Sequence, residues 1–422
     1  MKSKKKLIIL GGNPETASFV EYLNELGIYT IVIDPNKNAP AKRICHESHD
    51  VDCLDTEKLI TTIKALEFDG IIVGVADILV TSYLKICKIF KVPCYANENT
   101  IRAFGSKDGF IAECRKYGID VTPCYEENDL HGIKNHSKLL VKPVDNGAGV
   151  GMSICNSKDD LRNAIDYAKL FSKSKRVLIE KYMDCDDMFA YYTFSNGKIY
   201  LSATADRYKT RMTDSGSPVC IGAKYPSIYQ DEFEEKVDPL LRRMFKGLKI
   251  SNGILNIQFF KDDDGFYAYD PGFRLQGEAP HLHILHAFGL DQRKLLSDFA
   301  LSEQNDSFDK KHNKRFVGDN TIALTAWVLL KEGVISNIQG LEKIKNLKSF
   351  KECVQRLFIG DKVTSDMIDT EKQVFARFYF QSSDPILLKK DLSLFSNTLK
   401  ISSKNLSMIS DIFDTSYIDK IK

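Results

Sequence analysis

"LLVKPVDNGAGVGM", residues 139–152, sets an apolar run ending near Lys142 against a loop with glycine at 147, 149 and 151. A loop of this kind loses conformational entropy when it orders, so a bound group should compensate. Phosphate suits the residue types. Lysine supplies a point charge, and glycines let backbone N–H groups approach a polyanion without interference from Cβ. The loop joins two extended stretches instead of opening a helix, and G-x-x-x-x-G-K-[ST] is absent, so it is not the usual P-loop. The plain alternative is a glycine-rich hairpin beside a surface lysine.

Outward from this stretch the chemistry continues. In "RVLIEKYMDCDD", residues 176–187, Glu180 ends an apolar run and Asp187 follows seven residues later. A carboxylate or carbonyl at a strand end can accept from an adenine amino group, and a second carboxylate can hold ribose hydroxyls. Upstream, "FGSKDGF" (104–110) places Lys107 at a predicted helix start, where amide dipoles and an ammonium both attract phosphate. In "NIQFFKDDDGFYAYDPGFRLQGE" (256–278) the spacing predicts a hairpin turning at "DDDG". Its strands carry Gln258 and Asp270 toward one another, with Arg274 beyond. Magnesium takes oxygen ligands and phosphoryl transfer needs cations, so Asp270 as ligand and Arg274 as clamp make chemical sense. Arg207 and Lys209, in "ADRYKT", end a strand of an earlier hairpin that turns at "SNGK".

The flanking regions frame this centre. Residues 5–34 read as strand, glycine turn, helix and strand, and a second round follows with "DGIIVGV", "ADILVTSYLKICKIF" and "VPCYA". Together they predict a small doubly wound parallel sheet over residues 1–100. "GGNPE" with Asp34 offers a weak dinucleotide fingerprint, since G-x-G-x-x-G is incomplete. Residues 100–118 read as helical, and 158–171 as a further helix. The polar stretch 301–316 reads as a linker before a terminal α+β region.

Bulk properties narrow the function. The chain has 422 residues, 43 % of them hydrophobic, with 59 basic against 57 acidic side chains. That balance argues against a general nucleic-acid surface. The opening "MKSKKKLIILGG" has too short an apolar run for a signal peptide, and no stretch approaches a membrane span. The expectation is therefore a cytoplasmic protein with no membrane and no nucleic-acid partner. Ten cysteines form no C-x-x-C pair, which argues against zinc or a disulfide framework. "HLHILH" (281–286) lets His283 and His286 share a helix face, but no cysteine or carboxylate cluster accompanies them.

In their order and spacing, "SKDG", "LLVKPVDNGAGVGM", "LIEKYMDCDD" and the second hairpin resemble the ATP-grasp superfamily. The tail "ALTAWVLLKEGVISNIQGLEKIKNL" (323–347) is similar to the C-terminal domain of biotin carboxylase-like and amino-acid-ligase-like members. The resemblance implies a mixed fold, α/β and α+β. A parallel βα domain would span 1–100. A two-lobed ATP-grasp domain would span 101–305, with a small lobe at about 115–185 and a large lobe at 186–305. A small α+β domain would span 317–422. It implies ATP and Mg2+ as cofactors, and an ADP-forming reaction in which a carboxylate becomes an acyl phosphate that an amine or similar nucleophile attacks. On that resemblance Lys107, Lys142, Gly147, Ala148, Gly149 and Gly151 hold phosphates, while Glu180, Lys181, Tyr182 and Met183 hold adenine. Asp187 would take ribose, and Gln258, through its carbonyl, and Asp270 the metal. Arg274 would steady the acyl phosphate, and Arg207 and Lys209 would face the acid substrate or the γ-phosphate. A homodimer is implied by the same likeness.

The chain also departs from the pattern. Where the family carries two glutamates and an asparagine around magnesium, this sequence offers Gln258, Asp270 and Gly272, with Glu278 as a substitute within reach. These departures keep a second reading open, a degenerate nucleotide-binding protein. A carbamoyl-phosphate-synthase-like reaction on bicarbonate and a nicotinamide oxidoreductase built on "GGNPE" are further alternatives.

Overall fold

Lys6–Leu10, Tyr29–Ile33 and Gly70–Val73 are short apolar runs buried along nearly their whole length, the pattern of parallel strands covered on both faces. They pair in parallel, joined by a short polar edge strand, Glu47–His49. The computed structural model describes residues 4–125, 127, 138–144, 151–156, 158–210, 219–302 and 321–418. "VPCYA" is not a strand; it runs as irregular chain. The helical stretch near 100–118 is two helices, Glu98–Phe104 and Lys107–Lys116. Ser106 breaks them by accepting from the Gly109 N–H as an N-cap.

The small lobe is an antiparallel sheet in the order Cys124–Tyr125, Val177–Lys181, Leu139–Pro143, Ser153–Cys155. The predicted helix, Lys158–Phe171, packs Leu161, Ala164, Ile165 and Ala168 onto Leu139, Val141 and Ile179.

The large lobe rests on two hairpins. Asp186–Ser195 and Lys198–Lys209 turn at Asn196–Gly197, both with positive φ, as a two-residue hairpin turn requires. Gly253–Lys261 and Phe266–Gly272 turn through "DDDG", where the Asp262 carboxylate accepts from the N–H groups of Asp264 and Gly265. Cys220–Tyr225 is a further strand, paired with Lys198–Lys209.

The long C-terminal strands join the large lobe's sheet, while Gly333–Val334 with Lys362–Val363, and Asn337–Gln339 with Lys400–Ser403 and Leu406–Ser407, form two small sheets of their own. Ile322–Leu330 pairs with Cys220–Tyr225, and Val374–Ser382 and Phe350–Gln355 extend the same nine-stranded sheet among the described residues. What is separate is the core beneath: Trp327, Phe378, Phe380 and Phe395 form a cluster of their own. The N-terminal sheet and the large lobe, by contrast, share one continuous core, from Leu7 and Ile71 to Tyr192 and Phe273. Of the linker expected at 301–316, residues 303–316 lie outside the described residues.

Candidate active site

Strand pairing decides which side chains meet. In the small lobe Leu140 lies opposite Glu180 and Lys142 opposite Leu178, so Lys142 and Glu180 share a face on a diagonal. Lys142 Nζ stands 2.5 Å from Glu180 Oε2, and Glu180 is only 2 % exposed. Gly151 closes the loop at φ +75°, and a Cβ there would meet Phe171 and Pro143. Of the predicted phosphate loop, Gly147, Ala148 and Gly149 lie outside the described residues. Lys181 is exposed, with its N–H donating to Pro123 O. The Tyr182 N–H donates to Lys138 O, and Met183 is buried.

On the large lobe Asp187 faces Arg207 on one neighbouring strand and Phe260 on the other. Its carboxylate is buried and already well used. Lys209 Nζ lies at 2.5 Å, Arg207 at 3.6 Å, and the Tyr269 hydroxyl donates to both oxygens at 2.9 and 3.0 Å. The expected ribose contact would share Asp187 with these three groups, whose geometry makes the carboxylate an anchor for the two cations. Arg207 also donates to Gln258 Oε1 at 3.2 Å, stands 3.5 Å from Glu278, and lies over the Phe189 ring.

Tyr269 owes its place to a register shift. Gln258 pairs with Asp270 but Phe259 pairs with Ala268, so Tyr269 has no opposite number and its hydroxyl reaches Gln258 Oε1 at 2.7 Å. That contact and the Arg207 contact fix the amide. Gln258 Nε2 therefore donates to Asp270 Oδ2 at 3.2 Å, turning nitrogen instead of oxygen toward the expected metal ligand.

Asp270 is where the lobes and the first sheet converge. Burial raises its carboxyl above the ordinary value, Lys107 opposes that, Asp77 adds to it, and Lys142 and Arg274 oppose it again. Three expected phosphate or acyl-phosphate groups thus act on one carboxylate from three parts of the chain. Arg274 is steadied by Asp77 at 2.5 Å and donates to Leu275 O. Glu278 is buried, and burial raises its carboxyl while Arg207 opposes it; Oε2 has no hydrogen-bond partner.

Other groups escaped sequence reasoning because distant segments bring them together. Glu15, at the first turn of helix Pro14–Glu25, meets Arg377 at 3.1 Å and Arg356 at 3.3 Å, and Arg377 also donates to Gly277 O. Burial works to raise the Glu15 carboxyl, but the two guanidiniums outweigh it and hold it low. Asp34 spends its carboxylate on the N–H groups of Gly12 and Asn36, which weakens the dinucleotide reading. His283 is fully buried against Tyr225 and Tyr379 and bonded to Thr325, and burial pushes its imidazole down to about 3. It is a core residue. Among the described residues no helix is long and apolar enough to cross a membrane.

Comparison with known proteins agrees with this architecture. Residues 132–271 match the family model described as D-ala D-ala ligase C-terminus. The biotin carboxylase domain of the Hydrogenobacter thermophilus 2-oxoglutarate carboxylase, solved with MgADP, ADP and bicarbonate, superposes with a TM-score of 0.76 at 15 % identity. That match covers 99 % of this chain and 97 % of that one. The chain carries an ATP-grasp domain. An L-amino acid ligase from Bacillus licheniformis shares the fold at a TM-score of 0.75 and 16 % identity, in a match that covers 96 % of this chain and all of that one. Among curated relatives, the formate-dependent phosphoribosylglycinamide formyltransferase of Francisella tularensis subsp. tularensis (strain WY96-3418) is 29 % identical over 195 residues. The match covers 44 % of this ATP-grasp chain and 50 % of that protein. The chain spans about half the length of the curated relatives it matches.

Proposed function

We propose that this ATP-grasp chain is an ATP-dependent, ADP-forming ligase that activates a small carboxylic acid as an acyl phosphate for attack by an amine or similar nucleophile. The observation that carries the reading is the second hairpin, where Asp270 stands opposite Gln258 with Arg274 just beyond, held by Asp77, while the charges of Lys107 and Lys142 act on the same carboxylate. A carboxylate is inert to amines because it would have to expel oxide, whereas an acyl phosphate expels phosphate. Supplying that leaving group requires cations around a polyphosphate and a carboxylate for the metal that accompanies it.

The residues fit magnesium. Asp270 provides a half-buried carboxylate, and magnesium commonly takes one or two carboxylates and completes its shell with phosphates and water. When bound, the ion would neutralise phosphate charge and polarise the transferred group. Lys107 and Lys142 hold phosphate oxygens, and Arg274, held by Asp77, faces the charge that develops on the transferred phosphoryl group. Arg207 and Lys209, aligned by Asp187, present positive charge to the acid. ATP, magnesium, a small acid and an amine are thus the partners of this reading, and pairing into a homodimer is its expected assembly.

Release of ADP on incubation with Mg·ATP and pooled carboxylic acids and amines tests the reading. Dependence on an acid supports it, and binding of ATP without acid-dependent cleavage supports the second reading, a nucleotide binder without turnover. That second reading rests on the Gln258 amide, which offers Asp270 a nitrogen.

A further inference from the structure

Asn256, Gln258, Asp270 and Gly272 stand as two facing pairs on one side of the second hairpin, Asn256 opposite Gly272 and Gln258 opposite Asp270. Magnesium takes oxygen donors. Gln258 directs its oxygen to Tyr269 and Arg207, and Gly272 has no side chain where the resemblance places an asparagine. Yet an asparagine stands directly across the ladder from that glycine. Asn256 is 4 % exposed and its Oδ1 has no hydrogen-bond partner. Leaving a buried amide oxygen unsatisfied costs about 1–3 kcal/mol, which a ligand would recover.

The position of that oxygen is informative. A Cβ added at Gly272 would lie 2.6 Å from Asn256 Oδ1 and 3.2 Å from Asp77 Oδ1. The Asn256 oxygen therefore occupies the space in which a side chain at 272 would begin, beside Asp270. Any residue other than glycine at 272 would push it away, so the glycine and the asparagine are two halves of one arrangement.

We propose that Asn256 supplies a metal-coordinating oxygen from the opposite strand, in place of the side chain that Gly272 lacks, and holds a divalent cation together with the Asp270 carboxylate. This rests on the nucleotide-site reading above. Asp77 borders the same space through Oδ1 while its Oδ2 orients Arg274, which ties the first sheet to the cation site.

Mn2+ with ADP is the probe, followed by electron paramagnetic resonance of the free ion and by calorimetry. In the unaltered protein, Mn2+ binding should strengthen when ADP is present. Asn256→Ala should weaken that binding at least as much as loss of an outer-shell partner weakens a metal site, about 10- to 100-fold. The exchanged pair Asn256→Gly with Gly272→Asn should recover most of it, because the amide returns from the other strand. Asn256→Asp, which keeps an oxygen and adds charge, should bind Mn2+ more tightly and serves if the alanine variant does not fold. Unchanged Mn2+ affinity in both single variants overturns this inference and leaves the nucleotide site standing. No ADP-linked Mn2+ binding in the unaltered protein overturns the nucleotide-site reading and this inference with it.

Discussion

Lys142 and Glu180 face each other where little water reaches, so removing one charge strands the other. Lys142→Ala should weaken ATP binding by about 1.5–3 kcal/mol, the range for a hydrogen bond to a charged group. An unchanged dissociation constant in calorimetry would remove Lys142 from the site. Asp270 adds a pH dependence whose sign can be worked out. Burial leads in raising its carboxyl above 3.8, so its protonated form favours the folded state and that stabilisation is lost as pH rises through the shifted value. Asp270→Asn carries no such charge. In the absence of nucleotide and metal it should melt higher than the unaltered protein at about pH 7.5, with the gap closing toward about pH 4, and its nucleotide binding should lose magnesium dependence. A gap that widens in acid would contradict the assignment. At this scale the sequence singled out Lys142, Glu180, Asp270 and Arg274 as candidates, because each sits near the end of a readable strand. Asn256 went unread because nothing in a linear pattern distinguishes a buried amide facing a glycine from any polar strand residue.

Elements were legible where turn chemistry is local. Asn196–Gly197 and "DDDG" mark both hairpins, and period-3.6 apolar residues mark Lys158–Phe171. Glu47–His49 carries no apolar signal, and "VPCYA" has strand-like composition without a partner to pair with. The shift that frees Tyr269 is invisible for another reason: strict alternation would put adjacent residues 269 and 270 on opposite faces, yet both side chains reach Gln258. Tyr269→Phe removes the hydroxyl contacts to Asp187 and Gln258. It should free the amide to rotate and alter the apparent affinity for Mn·ADP, which calorimetry would show. Gly151→Ala should destabilise the protein by at least about 1–2 kcal/mol in urea unfolding, since φ +75° is left-handed and the new methyl would press on Phe171 and Pro143. An unaltered midpoint would contradict the loop geometry.

At the scale of the whole molecule, the mixed fold was legible but the sheet that the terminal strands join was not. The predicted terminal domain continues the large lobe's sheet through Ile322–Leu330, because an apolar strand reads the same whether it starts a sheet or extends one. Its Arg377, 1 % exposed, lies over Trp327 and reaches Glu15 of helix Pro14–Glu25 and the Gly277 carbonyl, so three regions meet at one guanidinium. Glu15→Gln should cost about 3–5 kcal/mol in urea unfolding, as expected when a buried pair loses one partner. A change within error would show that Glu371 and Trp327 suffice to hold Arg377. The central claim, that these regions converge on a site for magnesium and a nucleotide, is tested most directly by calorimetric titration with ATP, with magnesium and then with chelator. The account predicts binding that weakens markedly when magnesium is removed. Equal affinity in both titrations, or no binding in either, would contradict it.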